Sequence, residues 1–254
     1  MPPKRRRTQS QLDLQLQAAR GDDARRPATG SLTVTSNWDR NADAVVFRGN
    51  CLELLASMPA NSVQLVVSSP PYNIGKSYEK RSPLDVYLDG QREVLEACAR
   101  VLKPGGSLVW QVGNYIDKKT GEVIPLDALF FPILKDLGLY SRNRIVWTFE
   151  HGLHATRRFS GRHETVLWFS KGNDYAFDLD PVRVPQKYPN KKHFKGPKRG
   201  ELSGNPNGKN PGDVWAIPNV KHNHPEKTSH PCSLSAASCC DGIKYMMPLN
   251  EHEQ

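Results

Sequence analysis

Apolar and polar positions along the chain fall into two rhythms that take turns. "SLTVTS" (31–36) alternates and predicts a short strand, and "DAVVFRGN" (43–50) predicts another, broken by Gly49-Asn50. "CLELLASMP" carries apolar residues at helical spacing, ended by Pro59 and Asn61. "VQLVVSS" (63–69) is nearly continuous in apolar residues, the type of strand that a parallel sheet buries on both faces. A helix is predicted over "DVYLDGQREVLEACARVLK", stopped by "PGG", and a strand over "SLVWQVGN" (107–114). "PLDALFFPILKDLGL" predicts a helix bent at Pro132. "RNRIVWTF" (142–149) and "ETVLWFSK" (164–171) complete the strands. Strands alternating with helices predict an α/β fold, its sheet mostly parallel and covered by helices on both faces.

Such sheets place ligands at the carboxyl ends of their strands. Three of the predicted ends carry polar punctuation: Gly49-Asn50, Ser68-Ser69-Pro70-Pro71-Tyr72 and Gly113-Asn114. Composition changes along the chain. Residues 1–30 are polar and basic and read as a disordered arm. Residues 31–177 hold the alternating pattern of a catalytic core. From 178 to 228 the chain is dense in Pro, Gly, Asn and Lys, too poor in apolar residues for a core of its own. There Tyr188, Phe194, Trp215 and Ile217 are interleaved with Lys191, Lys192, Lys195, Lys198 and Arg199. Cations for phosphates, with aromatics and amides for bases, make this segment a predicted nucleic-acid surface. The tail from 229 to 254 lacks apolar periodicity.

The 254 residues suffice for one large α/β domain or for one with an insertion, and the net charge of +9 points to a polyanionic partner. No apolar run approaches the roughly 20 residues of a membrane span, and "MPPKRRRTQS" has no apolar stretch to serve as a secretory signal. Cys51 and Cys98 read as core thiols. Cys232, Cys239 and Cys240, with His230 nearby, fit no common zinc spacing, so no metal site is expected. Cysteine usage suits a reducing, cytoplasmic compartment.

The chemistry concentrates in Ser69-Pro70-Pro71-Tyr72. Proline donates no hydrogen bond, so the Ser69 and Pro70 carbonyls are left to accept from a ligand. Ser69 adds a side-chain acceptor and Tyr72 a flat face for stacking. An acceptor pair beside an aromatic shelf suits an exocyclic amine on a planar heterocycle.

These residues resemble the catalytic motif of the amino-methylating DNA methyltransferases, (Ser/Asp/Asn)-Pro-Pro-(Tyr/Phe). That family transfers a methyl group from S-adenosylmethionine to cytosine N4 or adenine N6. "GNCLELLASMPANSVQLVVSSPPYN", "ARVLKPGGSLVWQVGN", "RRFSGRHETVLWFSKG", "DVWAIPNV" and "EKTSHP" are similar to its ordered segments, so the likeness covers about 44–231. The resemblance implies a Rossmann-like sheet, with Ser69, Pro70, Pro71 and Tyr72 as catalytic residues. It implies cofactor contacts from Asn50, Cys51, Ser69, Thr228 and His230. It implies double-stranded DNA as partner, a target base flipped onto Tyr72, and a restriction–modification setting with a cognate endonuclease. No covalent cysteine intermediate is implied. Ser at the first motif position favours cytosine N4 over adenine N6. The segment order resembles the permuted arrangement, in which a Gly-rich cofactor loop comes last. "CSLSAASCCDGIKYMMPLNEHEQ" holds no such loop and reads as a replaced or frameshifted end. The expected sheet is therefore incomplete, and a catalytically inactive DNA-binding remnant is the alternative function.

Overall fold

The computed structural model describes residues 32–150, 152, 154–220 and 227. The chain divides into two compact units, one ending at Arg48 and the other starting at Gly49. In the first, β1 (Val34–Thr35) pairs in parallel with β2 (Ala44–Val45), and the Asp43 carboxylate accepts from the Thr33 amide at 2.7 Å.

The second unit opens with α1 (Cys51–Ser57). Asn50 caps it, its Oδ1 accepting from the Leu52 amide at 3.1 Å. Then follow β3 (Val63–Ser68), α2 (Leu84–Val101), β4 (Leu102–Val112), β5 (Asn114–Ile116), β6 (Val123–Pro125), α3 (Leu126–Asp136), β7 (Tyr140–Thr148), β8 (His163–Ser170) and β9 (Val214–Ala216). Five strands form one sheet in the order β3-β4-β8-β7-β9. β3 and β4 are parallel, as are β7 and β9, while β8 is antiparallel to both β4 and β7. Four strands therefore run one way, as the sequence pattern predicts, and β8 alone is reversed. The reason is the connection. β3 reaches β4 through helix α2, which allows a parallel return, whereas β7 reaches β8 through loop 149–162 with no crossover helix.

Successive residues of the central strands face opposite sides. Leu108, Trp110, Val112, Leu167 and Phe169 join one core cluster with Tyr87, Leu95 and Cys98 of α2 and Leu126, Phe130 and Leu134 of α3. Val109, Ile145, Val166 and Trp168 face the other way, packed by Leu65, Tyr175 and Trp215. Helices are expected on both faces. Among the described residues they gather on the first, α1 joining through Leu55, and the second is covered by Tyr175 and Phe177, which follow β8, and by Trp215 of β9. Two more elements escape the hydrophobic pattern. β5 and β6 form a hairpin whose turn is tied by Asp117 Oδ1, accepting from Lys119 and Thr120 amides at 2.8 Å each. β9 is three residues set among Pro, Gly and Asn.

The "PGG" after α2 does not separate helix from strand. α2 ends at Val101, β4 begins at once, and Pro104-Gly105-Gly106 form a bulge in it, where two steps from Val63 to Leu65 face five from Leu102 to Ser107. Lys171 Nζ locks this junction, donating to the carbonyls of Ala99 and Leu102 at 2.8 Å and to Asn61 Oδ1 at 2.9 Å. It supplies a cation to the carboxyl end of α2. Gly106 is required because a Cβ there would lie 2.8 Å from the Gln64 carbonyl oxygen and 2.9 Å from that of Lys103, both backbone. Gly106→Ala is expected to cost about 1–3 kcal/mol by overpacking. An unchanged urea midpoint for that variant would disprove the crowding.

Candidate active site

Strand directions decide what meets. β3, β4 and β7 end at one edge of the sheet and β8 begins there. That edge collects Ser69–Tyr72 after β3, Gly113-Asn114 after β4, loop 149–162 after β7, and His163-Glu164 at the head of β8.

The Ser-Pro-Pro-Tyr corner is fixed from three sides. The Tyr87 hydroxyl of α2 donates to the Pro71 carbonyl at 2.7 Å. Asn73, 2% exposed and at φ 57°, pairs through its side-chain amide with the Ser82 backbone in both directions, each at 2.8 Å. The Glu79 carboxylate accepts from the amides of Asn73 (2.9 Å), Ile74 (2.8 Å) and Gly75 (2.9 Å). A turn with successive amides aimed at one point is a nest for an anion, and here the chain's own carboxylate fills it.

Ser69 is exposed and Tyr72 half-buried. The ring of Tyr72 lies on Gly113, where a Cβ would stand 3.1 Å from Tyr72 Cε2. This close approach explains the glycine at the end of β4. The Tyr72 hydroxyl donates to Glu164 Oε2 at 2.9 Å, and Gln111 Nε2 donates to the same oxygen at 2.8 Å. Ser69 Oγ lies 3.0 Å from the Tyr72 hydroxyl. Burial, then the charge of Glu164, holds the Tyr72 phenol well above its ordinary pKa. Burial, then the charge of Glu79, does the same for Tyr87. The result is a serine hydroxyl at the surface, backed by a neutral phenol and a carboxylate.

The other predicted residues are scattered. Asn50 spends its side-chain oxygen on the α1 cap, and Cys51, expected in the core, is exposed. Cys98 is buried as expected, its thiol pushed up to about 12 by desolvation. Thr228, His230, Cys232, Cys239 and Cys240 lie outside the described residues. Lys191, Lys192, Lys195, Lys198 and Arg199 are all exposed. They sit on a hairpin-like excursion closed by the Lys192–Leu202 bridge, with Phe194 82% exposed among them. That excursion leaves after β8 at the edge opposite the corner and returns at β9, which pairs with Val146–Thr148 at the corner's own edge, on the far side of β7 from β8. A cavity of about 370 Å³ lies on the second face, lined by Asn143, Ile145, Trp168, Phe177 and Trp215, and includes none of Ser69–Tyr72. Sequence reasoning missed Glu164 and Gln111, and it missed Arg157, Arg158 and Phe159. These last three are exposed in the loop at the corner's own edge, with Phe159 fully so. The cue was present in "RRFSGRHE", two arginines beside an aromatic just before a strand.

Residues 63–250 match the family described as DNA methylase. The chain is 60% identical over 186 residues to the Type II methyltransferase M.BglII of Bacillus subtilis, an alignment covering 73% of this chain and 51% of that protein. It is 36% identical to the Type II methyltransferase M.ScaI of Streptomyces caespitosus, over 82% of this chain and 67% of that one. The chain thus spans about half to two-thirds of these relatives. In fold it is similar to the solved PvuII DNA methyltransferase (cytosine-N4-specific), with a TM-score of 0.61, 19% identity, and 85% of this chain and 72% of that chain covered.

A phenol whose pKa is raised in the fold stabilises it in the neutral form. That contribution is complete below the ordinary value of about 10 and is lost as pH climbs beyond it. Stability is expected to fall above about pH 10, and to fall less steeply in Tyr72→Phe, which has no phenol there to ionise. Denaturant midpoints measured across that range in both proteins check this; parallel curves would count against it.

Proposed function

We infer the activity from the family to which the chain belongs, the DNA methylases. The reading is methyl transfer from S-adenosylmethionine to the exocyclic amine of a base flipped out of duplex DNA. One observation carries it: Ser69 stands exposed at the carboxyl edge of the sheet, with Tyr72 and Glu164 behind it.

The donor set fits a cationic methyl donor, since hydroxyl oxygens backed by a carboxylate complement a sulfonium. Asn50, Cys51 and Ser69 would hold it, with Thr228 and His230. When bound it supplies an electrophilic methyl group. The chain's part is to hold the amine. An aromatic amine is a poor nucleophile because its lone pair is delocalised into the ring. Acceptors at Ser69 Oγ and the Pro70 carbonyl take up its two N–H bonds and favour a pyramidal nitrogen with its lone pair free. Transfer is then direct displacement, helped by orientation and by oxygens facing the charge that develops on nitrogen. A paired base cannot reach this corner, so it leaves the stack and rests against Tyr72.

DNA contacts come from two places. Arg157, Arg158 and Phe159 flank the corner, and the Lys191–Arg199 excursion between β8 and β9 supplies the second set of cations. Ser at the first motif position favours cytosine N4 over adenine N6. The Type II relatives support a restriction–modification role, with an endonuclease for the same sequence as functional partner and the cytoplasm as the place of action. A DNA-binding remnant without activity is the second reading.

Ser69→Ala is expected to lower methyl incorporation into long unmodified duplex DNA about 100-fold with DNA affinity retained. Equal losses in both would remove Ser69 from the chemistry. DNA binding without S-adenosylmethionine binding would select the remnant, and nucleoside analysis of the product separates N4-methylcytosine from N6-methyladenine. Replacing Lys191, Lys192 and Lys195 together should flatten the salt dependence of DNA binding by about 0.9 in slope for each lysine on a phosphate. An unchanged slope takes the excursion out of the interface.

A further inference from the structure

Hydrogen-bond bookkeeping at the corner leaves one consistent direction for each proton. Glu164 Oε2 receives two donors, the Tyr72 hydroxyl at 2.9 Å and Gln111 Nε2 at 2.8 Å. A phenol has a single proton. With that proton committed to the carboxylate, the Tyr72 oxygen can only accept from Ser69 Oγ, 3.0 Å away. Ser69 also has one proton, and giving it inward leaves lone pairs alone on its exposed side.

The components are held for this. Gln111 faces Val166 across the β4–β8 ladder, so Glu164, two residues earlier on β8, lies on the same face as its diagonal neighbour. Gly113 lets the Tyr72 ring lie down beside them. Desolvation and the Glu164 charge keep the phenol protonated.

We propose that Glu164 is a positioning residue: acting through the Tyr72 hydroxyl, it turns the Ser69 hydroxyl inward and makes Ser69 an obligate acceptor toward the substrate amine. This rests on the reading of Ser69 as an amine acceptor. Without the relay, Ser69 is free to point its proton outward, at the N–H bonds it has to receive.

Two measurements on the full chain test it. The first follows exchange of the Tyr72 hydroxyl proton by NMR and needs no turnover. In Ser69→Ala the proton stays protected, because its acceptor is Glu164. In Glu164→Leu, which leaves no acceptor there, it exchanges about tenfold faster or more, an effect of the size of one lost hydrogen bond. The reverse pattern, release by Ser69→Ala and none by Glu164→Leu, overturns the proposal. The second compares turnover with KM on long unmodified duplex DNA. Glu164→Leu and Tyr72→Phe, the latter keeping the stacking ring, should each lower kcat about tenfold with KM for DNA and cofactor unchanged. The double variant should lose no more than either single one, since both break one chain. Losses that multiply, or that appear in KM, identify Glu164 as structural support. Full turnover in Ser69→Ala sinks the parent reading. Loss in Ser69→Ala, with kcat intact in the other two, sinks only the relay.

Discussion

β8 runs against both of its neighbours, and its first residues therefore arrive where β4 and β7 end. Everything at the corner follows from that reversal. Were β8 parallel to β4, Glu164 would lie at the far edge of the sheet. Tyr72 would then bury a phenol with no carboxylate to receive its proton, and an unmet buried hydroxyl costs about 1–3 kcal/mol. The passage from β7 to β8 accompanies the reversal: none of its described residues is helical, and β8 returns antiparallel beside the strand just left. A connectivity constraint thus becomes an electrostatic one, bringing a carboxylate to within reach of a strand end 92 residues earlier.

The corner is built to stay still. Its strained residue, Asn73 in the left-handed region, is held by two hydrogen bonds to Ser82, and the adjacent amides close on Glu79. Strain of this kind persists only where the surroundings over-determine it. Tyr87 fixes the Pro71 carbonyl from α2, and α2 is tied to α1 by Arg100, which donates to the carbonyls of Met58 at 2.9 Å and Leu55. At that same carboxyl end α2 is clamped to the sheet by Lys171. Rigidity at Ser69 is thus inherited from the helix that carries β3 over to β4.

Much of this was legible in the residues. The order of strands and helices, the apolar run of β3, the diproline that ends it and the Gly-Asn end of β4 all follow local rules of periodicity and backbone chemistry. What escaped depends on pairing between distant segments. Glu164 is one polar residue at the head of an apolar strand, and nothing local says whether it faces solvent or Tyr72. β9 exists because Val146 and Trp147 offer it an edge, not because "VWA" has any strand pattern of its own. The β5–β6 hairpin had a turn signal in Asp117 to Gly121 but flanks of only three residues. Tyr72 was read by its ring, while its hydroxyl, tied inward, could be placed only once β8 was known to be reversed. The basic excursion was read by composition, which carries no information about the edge from which it springs.

That rooting bears on how such a chain diversifies. The segment from 178 to 213 departs from β8 at the rim away from Ser69 and rejoins at β9, the strand at the other side of the sheet from β3, so its anchors are β8 and β9 rather than the corner. Insertions, deletions or wholesale exchange by recombination in that segment leave the strand ends, the Tyr72 cradle and Glu164 where they are. The corner's hydrogen bonds thus come from one part of the chain and the basic excursion from another, so a change of length or charge in the excursion need not disturb the bench on which Ser69 is mounted.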